Sequence, residues 1–114
     1  MPELTAGQSI NKALSLILEK NQTAFLAGED IGIYGGAFGV TEGLLEEFGS
    51  ERIKDTPISE DVIAGLAVGA SMTGSRPIVE MQFSDFIVNA MDPVSYTHLR
   101  AHETDSYLVC RLLL

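Results

Sequence analysis

The sequence predicts an α/β fold: a parallel sheet with helices on both faces. Two observations carry this. Four helical signals alternate with three strand signals along the chain. Short strands separated by helix-length segments need crossover connections, and crossovers lay strands parallel with helices packed on the sheet.

The elements follow in order. Thr5 and Gln8 have the spacing of a capping box, and Ile10, Ala13, Leu14, Ile17 and Leu18 then recur at helical spacing. Asn21 can close that helix, and Thr23 to Ala27 reads as a short apolar strand. A glycine-rich loop runs from Gly28 to Gly39. Thr41 is placed to cap a short helix that carries Leu44, Leu45 and Phe48 and ends at Gly49. Arg52 to Asp55 is a weaker second strand. Ser59 is the strongest helix cap in the chain, and its helix runs to about Met72. Ala64, Gly65, Ala67, Gly69 and Ala70 fill that helix with small residues. Glycine costs about 1 kcal/mol relative to alanine in a helix interior, so two of them predict close packing against a neighbour. Gly74 ends the helix, Pro77 to Met81 forms a third strand, and Ser84 opens a fourth helix with Ile87, Val88 and Met91 on one face.

The chain carries 7 Lys and Arg against 16 Asp and Glu, a net charge of −9. That balance argues against nucleic acid or an anionic membrane surface as partner, because neither gains counterion release or surface attraction. No apolar run approaches the ~20 residues of a membrane span. The start, Met1-Pro2-Glu3-Leu4, lacks the positive end and apolar core of a signal peptide, so a cytoplasmic location is expected. With no cysteine before Cys110, neither a disulfide framework nor a thiolate zinc site is available.

Parallel sheets bind ligands beyond the carboxyl ends of their strands. Those ends lead here into Gly28-Glu29-Asp30, Thr56 to Glu60, and Gln82 to Phe86. In Asp55-Thr56-Pro57-Ile58-Ser59-Glu60, a strand end turns directly into a helix start. Glu60 and Asp61 there suit the positive helix N-terminus, the commoner reason for acids in a first turn, and the sharper reading of Glu60 is a carboxylate aimed at a ligand. The loop Gly28 to Gly39 has neither a dinucleotide fingerprint nor a P-loop lysine, so it reads as a demanding turn at a ligand site or subunit contact. Glu80-Met81-Gln82-Phe83-Ser84-Asp85-Phe86 offers two aromatics and an amide that suit a flat ring, or the core.

Taken in order, these segments resemble the β subunit of the thiamine-diphosphate-dependent 2-oxo acid dehydrogenases. The resemblance rests on Gly28-Glu29-Asp30, on Tyr34-Gly35-Gly36-Ala37-Phe38-Gly39-Val40 and on Gly43-Leu44-Leu45. It also rests on Asp55 to Glu60, on Ala67-Val68-Gly69-Ala70 and on Arg76-Pro77. It implies a thiamine-diphosphate-binding fold, with residues 1–93 the N-terminal part of a transketolase-like pyrimidine-binding domain. The carboxylate matching Glu60 then hydrogen-bonds a ring nitrogen of the cofactor's aminopyrimidine, favouring the imino tautomer that deprotonates the thiazolium carbon. Phe86 matches the position that packs on the pyrimidine ring, and Ile58 and Gln82 match neighbouring walls. The resemblance further implies an α subunit that holds the diphosphate and its magnesium, in an assembly of two α and two β subunits. A lipoyl-bearing acyltransferase component would take the acyl group. Pyruvate, branched-chain 2-oxo acids and acetoin all remain open as substrates.

Two other classes stay open at this point: the pyrimidine domain of a transketolase-like synthase, and a small non-enzymatic α/β interaction module. The stretch 94–114 reads differently from the rest. Leu99-Arg100-Ala101-His102-Glu103-Thr104 and Leu108-Val109-Cys110-Arg111-Leu112-Leu113-Leu114 resemble one reading frame through a sequencing adapter. Both histidines, His98 and His102, and the single cysteine lie there, so no site is built on them. On this reading the chain is a fragment, expected to be inactive and poorly folded alone because apolar faces lack their partners.

Overall fold

The structure, a computed structural model, describes residues 3–95. His98, His102 and Cys110 lie outside the described residues. The elements are α1 (Ala6–Lys20), β1 (Ala24–Gly28), α2 (Leu44–Phe48), β2 (Ile53–Asp55), α3 (Glu60–Met72) and β3 (Arg76–Glu80). A 3₁₀ turn (Ser84–Val88) and α4 (Met91–Ser95) follow.

The strands form one parallel sheet in the order β2-β1-β3. Leu26 pairs with Ile53 and Ile78, and Gly28 lies level with both Asp55 and Glu80. All three strands therefore end at one height. The fold class is as the sequence predicts, and the register explains why the site residues converge there.

Side chains alternate between faces along a strand. On one face Ala24, Leu26 and Ile53 form a buried cluster with Leu18 of α1, Leu44 of α2 and Ile31 of the loop. Leu14, Leu45, Phe48 and Ile78 pack around it. On the other face, Val79 and the α3 residues Ala64, Ala67 and Val68 border an open apolar cleft of about 530 Å³. Phe83, Ile87, Ala90 and Val94 continue its rim.

Local chemistry fixes the ends of α1. Thr5 Oγ1 accepts the Gln8 N–H at 3.3 Å, and Gln8 Oε1 accepts the Thr5 N–H at 3.0 Å. This is the expected capping box. Asn21 closes the helix by donating its side-chain amide to the Ile17 carbonyl at 3.0 Å. Arg52 then binds the turn from the next crossover: its guanidinium donates to the carbonyls of Leu18 (2.9 Å), Asn21 (2.8 Å) and Ala24. It also lies over the Phe48 ring, 6.0 Å from the centroid.

Three local expectations are corrected. The N-cap of α2 is Gly43, with φ 80°, and not Thr41. Thr41 is buried, and its hydroxyl donates to the Ile31 carbonyl at 2.7 Å, tying the two ends of the glycine-rich loop. Ser59 is the N-cap of α3 but caps no backbone N–H. Its hydroxyl donates instead to Asp61 Oδ1 at 2.7 Å, and Asp61 Oδ1 accepts the Val62 N–H at 2.9 Å. Finally, the fourth helix is not continuous from Ser84. A proline cannot tolerate the carbonyl four residues back inside an α-helix, whereas a first helical turn accepts it. Pro93 therefore forces a new start at Met91, after the 3₁₀ turn.

The small residues of α3 differ in their surroundings. A Cβ on Gly65 would lie 3.9 Å from Pro93 Cβ, an ordinary van der Waals contact, so α4 packs beside this glycine without requiring it. Around Gly69 there is open space among the described residues.

Candidate functional site

The candidate site is the carboxyl end of the sheet, and backbone chemistry ties its three strand ends together. The Gly28 carbonyl accepts the Thr56 N–H at 2.9 Å, so β1 holds the segment leaving β2. Asp55 Oδ1 accepts the Gly32 N–H at 2.7 Å and anchors the glycine-rich loop. Gly28 faces β3 so closely that a Cβ there would lie 2.8 Å from the Glu80 carbonyl oxygen. Only glycine fits that approach.

The chain leaves two of these strands in left-handed turns without glycine. Asp30 has φ 55° and Gln82 has φ 53°. Such conformations cost about 1–3 kcal/mol each and persist where the surroundings hold them. At Gln82 the holder is visible: its N–H donates to Glu80 Oε1 at 2.9 Å.

Glu60 opens α3, half-buried, in the first turn beside Asp61. The Ser59 hydroxyl holds the Asp61 carboxyl below the usual range, helped by the Val62 N–H. Gln82 is half-buried and borders the apolar cleft. Phe86 is half-buried in the 3₁₀ turn, edge-to-face with Phe83 at 5.8 Å between centroids. Phe83 in turn meets Phe38 of the glycine-rich loop edge-to-face at 5.5 Å. The structure thus joins Gln82 and Phe86 through Phe83 and adds Phe38 to them. Ile58 stands apart, 82% exposed, and does not border the cleft.

Three further residues emerge. Glu29 is buried, and its Oε1 has no hydrogen-bond partner; the same holds for the buried Thr56 Oγ1 and Glu80 Oε2. Each stands at or just past the end of a different strand. Burial raises the Glu80 carboxyl above the usual range, the Gln82 N–H works against that, and the Glu29 charge adds to it. Sequence alone flags Glu29 and Glu80 only as acids ending apolar strands. That they share one height depends on the register. Among the described residues no group of three or more His, Cys, Asp or Glu is placed to hold a metal ion. No described helix is long and apolar enough to cross a membrane.

A glutamate at the start of a helix, a ring platform and a strained amide therefore surround the end of a parallel sheet. The family model for the transketolase pyrimidine-binding domain matches residues 3–112. The chain belongs to this family. Its relatives include the Pyruvate dehydrogenase E1 component subunit beta of Staphylococcus epidermidis, 45% identical over 95 residues. That alignment covers 83% of this chain and 29% of the relative. The 2-oxoisovalerate dehydrogenase subunit beta of Bacillus subtilis is 49% identical over 86 residues, covering 75% of this chain and 26% of the relative. The Pyruvate dehydrogenase E1 component subunit beta of Staphylococcus aureus is 44% identical over 95 residues. The chain thus spans less than a third of the length of these curated relatives. Within the family frame, the strand ends just described form the edge of a pyrimidine-binding domain. The family match also runs through the stretch 94–112 that the sequence analysis sets apart.

Proposed function

We propose that this chain forms the pyrimidine-side wall of a thiamine diphosphate site in the β subunit of a 2-oxo acid dehydrogenase. The observation that carries the reading is Glu60, a half-buried carboxylate at the head of α3, directly beyond the end of β2. A carboxylate at that place can accept a hydrogen bond from a ring N–H or share its proton. The relatives named as pyruvate and 2-oxoisovalerate dehydrogenase β subunits support the choice of reaction class.

The residues present fit the cofactor's pyrimidine. Thr56 Oγ1 is buried without a partner, Phe86 offers a half-buried ring, and Gln82, held in a left-handed turn just past the end of β3, borders the cleft. Glu60 would hold the ring nitrogen, Phe86 would cover the ring and Gln82 would line it, whereas Ile58 stands exposed apart from them. When bound, thiamine diphosphate supplies the carbon nucleophile that allows a 2-oxo acid to lose carbon dioxide. The chain's own part is to orient the ring, with Phe86 against its face and the Glu60 carboxyl toward its nitrogen.

In this reading an α subunit holds the diphosphate and magnesium, and two α and two β subunits assemble in the cytoplasm. A lipoyl-bearing acyltransferase accepts the acyl group. Acetoin cleavage is a variant of the same site. We read the stretch 94–114 as adapter sequence in translation, against a family match that runs to residue 112, and sequencing the source DNA across it tests that directly.

The deciding experiment is Glu60→Gln in the full-length subunit assembled with its partner. Amide for carboxyl keeps the shape and removes the proton-sharing group. The expected result is a fall in kcat of about 10²–10⁴-fold, with assembly intact. A kcat near that of the wild type overturns the reading.

A further inference from the structure

We propose that Phe38 is a positioning residue for the candidate site: its ring braces Phe83, and through Phe83 it holds Phe86 where the cofactor's pyrimidine would lie against it. The inference rests on Phe86 being the ring cover, and goes beyond that reading by naming what keeps Phe86 in place.

The turn that carries Phe86 has little hold of its own. Ser84–Val88 is a short 3₁₀ turn with no buried residue, and Phe83, its N-cap, makes no side-chain capping bond. Its backbone bonds are local. The Phe83 carbonyl accepts the Phe86 N–H at 3.1 Å, and the Phe86 carbonyl accepts the Asn89 N–H at 3.0 Å. A 3₁₀ turn has poorer hydrogen-bond geometry than an α-helix, so such bonds alone fix its orientation weakly. A side-chain link to the rest of the molecule runs through the rings. Phe86 meets Phe83 at 5.8 Å between centroids, and Phe83 meets Phe38 at 5.5 Å, with interplanar angles of 84° and 80°. Edge-to-face contacts of this kind are attractive because a ring's positive edge meets a negative face, so they need rings and not merely apolar volume.

Phe38 stands on firmer ground. It is 64% exposed and adds little to the core, yet its loop is fastened on both sides. Upstream, the Gly32 N–H donates to Asp55 Oδ1 at 2.7 Å, and a Cβ on Gly32 would collide with the Asp55 carboxyl. Ile31, part of the buried cluster, gives its carbonyl to the buried Thr41 hydroxyl at 2.7 Å. Downstream, the Asn11 side-chain amide of α1 donates to the carbonyls of Val40 at 2.8 Å and Glu42 at 3.0 Å. Within the loop, the Gly36 N–H reaches the Asp30 carbonyl at 2.8 Å, and the Thr41 N–H reaches the Gly35 carbonyl at 2.9 Å. An exposed aromatic on so fully bonded a frame carries the rigidity of the closed core to the side chain it touches. That side chain is Phe83.

The test uses the full-length subunit in its assembly, with a fluorine at the para position of the Phe86 ring. Two quantities are read: the fluorine NMR signal of that ring without cofactor, and the Kd for thiamine diphosphate with magnesium. Phe38→Leu keeps an apolar side chain and loses the ring. The signal should shift and broaden, and the Kd should rise about two- to tenfold. Phe38→Tyr keeps the ring and should restore both. Phe83→Leu removes the middle link and should do at least as much as Phe38→Leu. Adding Phe38→Leu to it should then change neither quantity further.

An unmoved fluorine signal in Phe38→Leu overturns the brace, and if the assembly also weakens, Phe38 belongs to a subunit contact instead. Equal effects of Phe38→Tyr and Phe38→Leu overturn the role of the ring. A further loss from Phe38→Leu on top of Phe83→Leu overturns the route through Phe83. A moved signal with unchanged Kd, where Phe86→Leu alone weakens binding, overturns the positioning role. If Phe86→Leu leaves the Kd unchanged, the functional reading of Phe86 fails, while the fluorine signal still decides the brace.

Discussion

The two faces of the sheet differ in how they are closed. Toward α1 and α2 the sheet ends in a buried cluster, where Leu18, Leu26, Leu44 and Ile53 are each no more than 2% exposed. Toward α3 the same sheet meets small side chains and a cleft, and α3 leaves Val62, Leu66 and Met72 exposed. The first face is assembled from large apolar residues drawn from α1, β1, the glycine-rich loop, α2 and β2. The second is built from Ala64, Ala67 and Val68, which fill little space and invite a neighbour to approach closely. One face supplies cohesion, and the other presents a surface.

The comparison breaks most sharply in the core. Leu26 lies on the central strand, within the buried cluster of the closed face. Leu26→Ala should cost about 2–5 kcal/mol in urea denaturation of the full-length subunit. Val79→Ala, on the cleft side, removes two methyl groups from a half-buried position and should cost less than half as much. Equal costs would show that the open face is closed in the assembled protein.

A second test asks what joins the closed face at its rim. Arg52 gathers three carbonyls from the end of α1 and the start of β1. Hydrogen bonds from a charged donor are worth roughly 1.5–3 kcal/mol each, and the three share one side chain. Arg52→Ala is therefore expected to destabilise by about 2–3 kcal/mol. Arg52→Lys should recover only part of this, because an ammonium lacks the planar fork.

The open face is probed by dye. The 114-residue chain should bind a hydrophobic dye without a sharp thermal transition, and the paired substitution Val62→Ser with Leu66→Ser should lower the fluorescence. An unchanged signal would place the dye elsewhere. At the end of α1, Thr5→Ala removes one half of the capping box and should cost about 1 kcal/mol, read in the same denaturation series.

The smallest effect is local. Ser59→Ala removes the chief cause of the lowered Asp61 carboxyl, so its titration should move up toward the ordinary aspartate range in a carbon-detected NMR titration. For a lowered carboxyl, the stabilising contribution is present above the unfolded value and lost as pH falls through the folded one. In the variant that acid-side loss should shrink.

Much of this was legible in the chain. The capping box at Thr5 and Gln8 needs residues three apart, Asn21 closes its helix through the Ile17 carbonyl four residues back, and Gly49 ends its own by a positive φ. Glu60 was legible because a strand ending in Asp55 and a helix starting at Ser59 leave it little choice of place. The errors were also local. Thr41 and Ser59 both have capping chemistry, but each hydroxyl found a better acceptor, one across a loop at Ile31 and one at Asp61. The fourth helix broke because Pro93 cannot sit deep inside it, a signal present in the sequence that periodicity at Ile87, Val88 and Met91 outweighed.

By itself the sequence determined the alternation of helices and strands, the parallel sheet it demands, the family, and Glu60 at a strand-to-helix junction. These follow from spacing, capping and chain connectivity, which act within a few residues. The tertiary structure alone decided the β2-β1-β3 register that sets Gly28 level with Asp55 and Glu80. It alone linked Phe38 to Phe83 and Phe86, and it left Ile58 exposed. It alone left a buried oxygen without a partner on Glu29 and on Glu80. Those facts depend on distances between residues far apart in the chain, and only packing of the sheet fixes them.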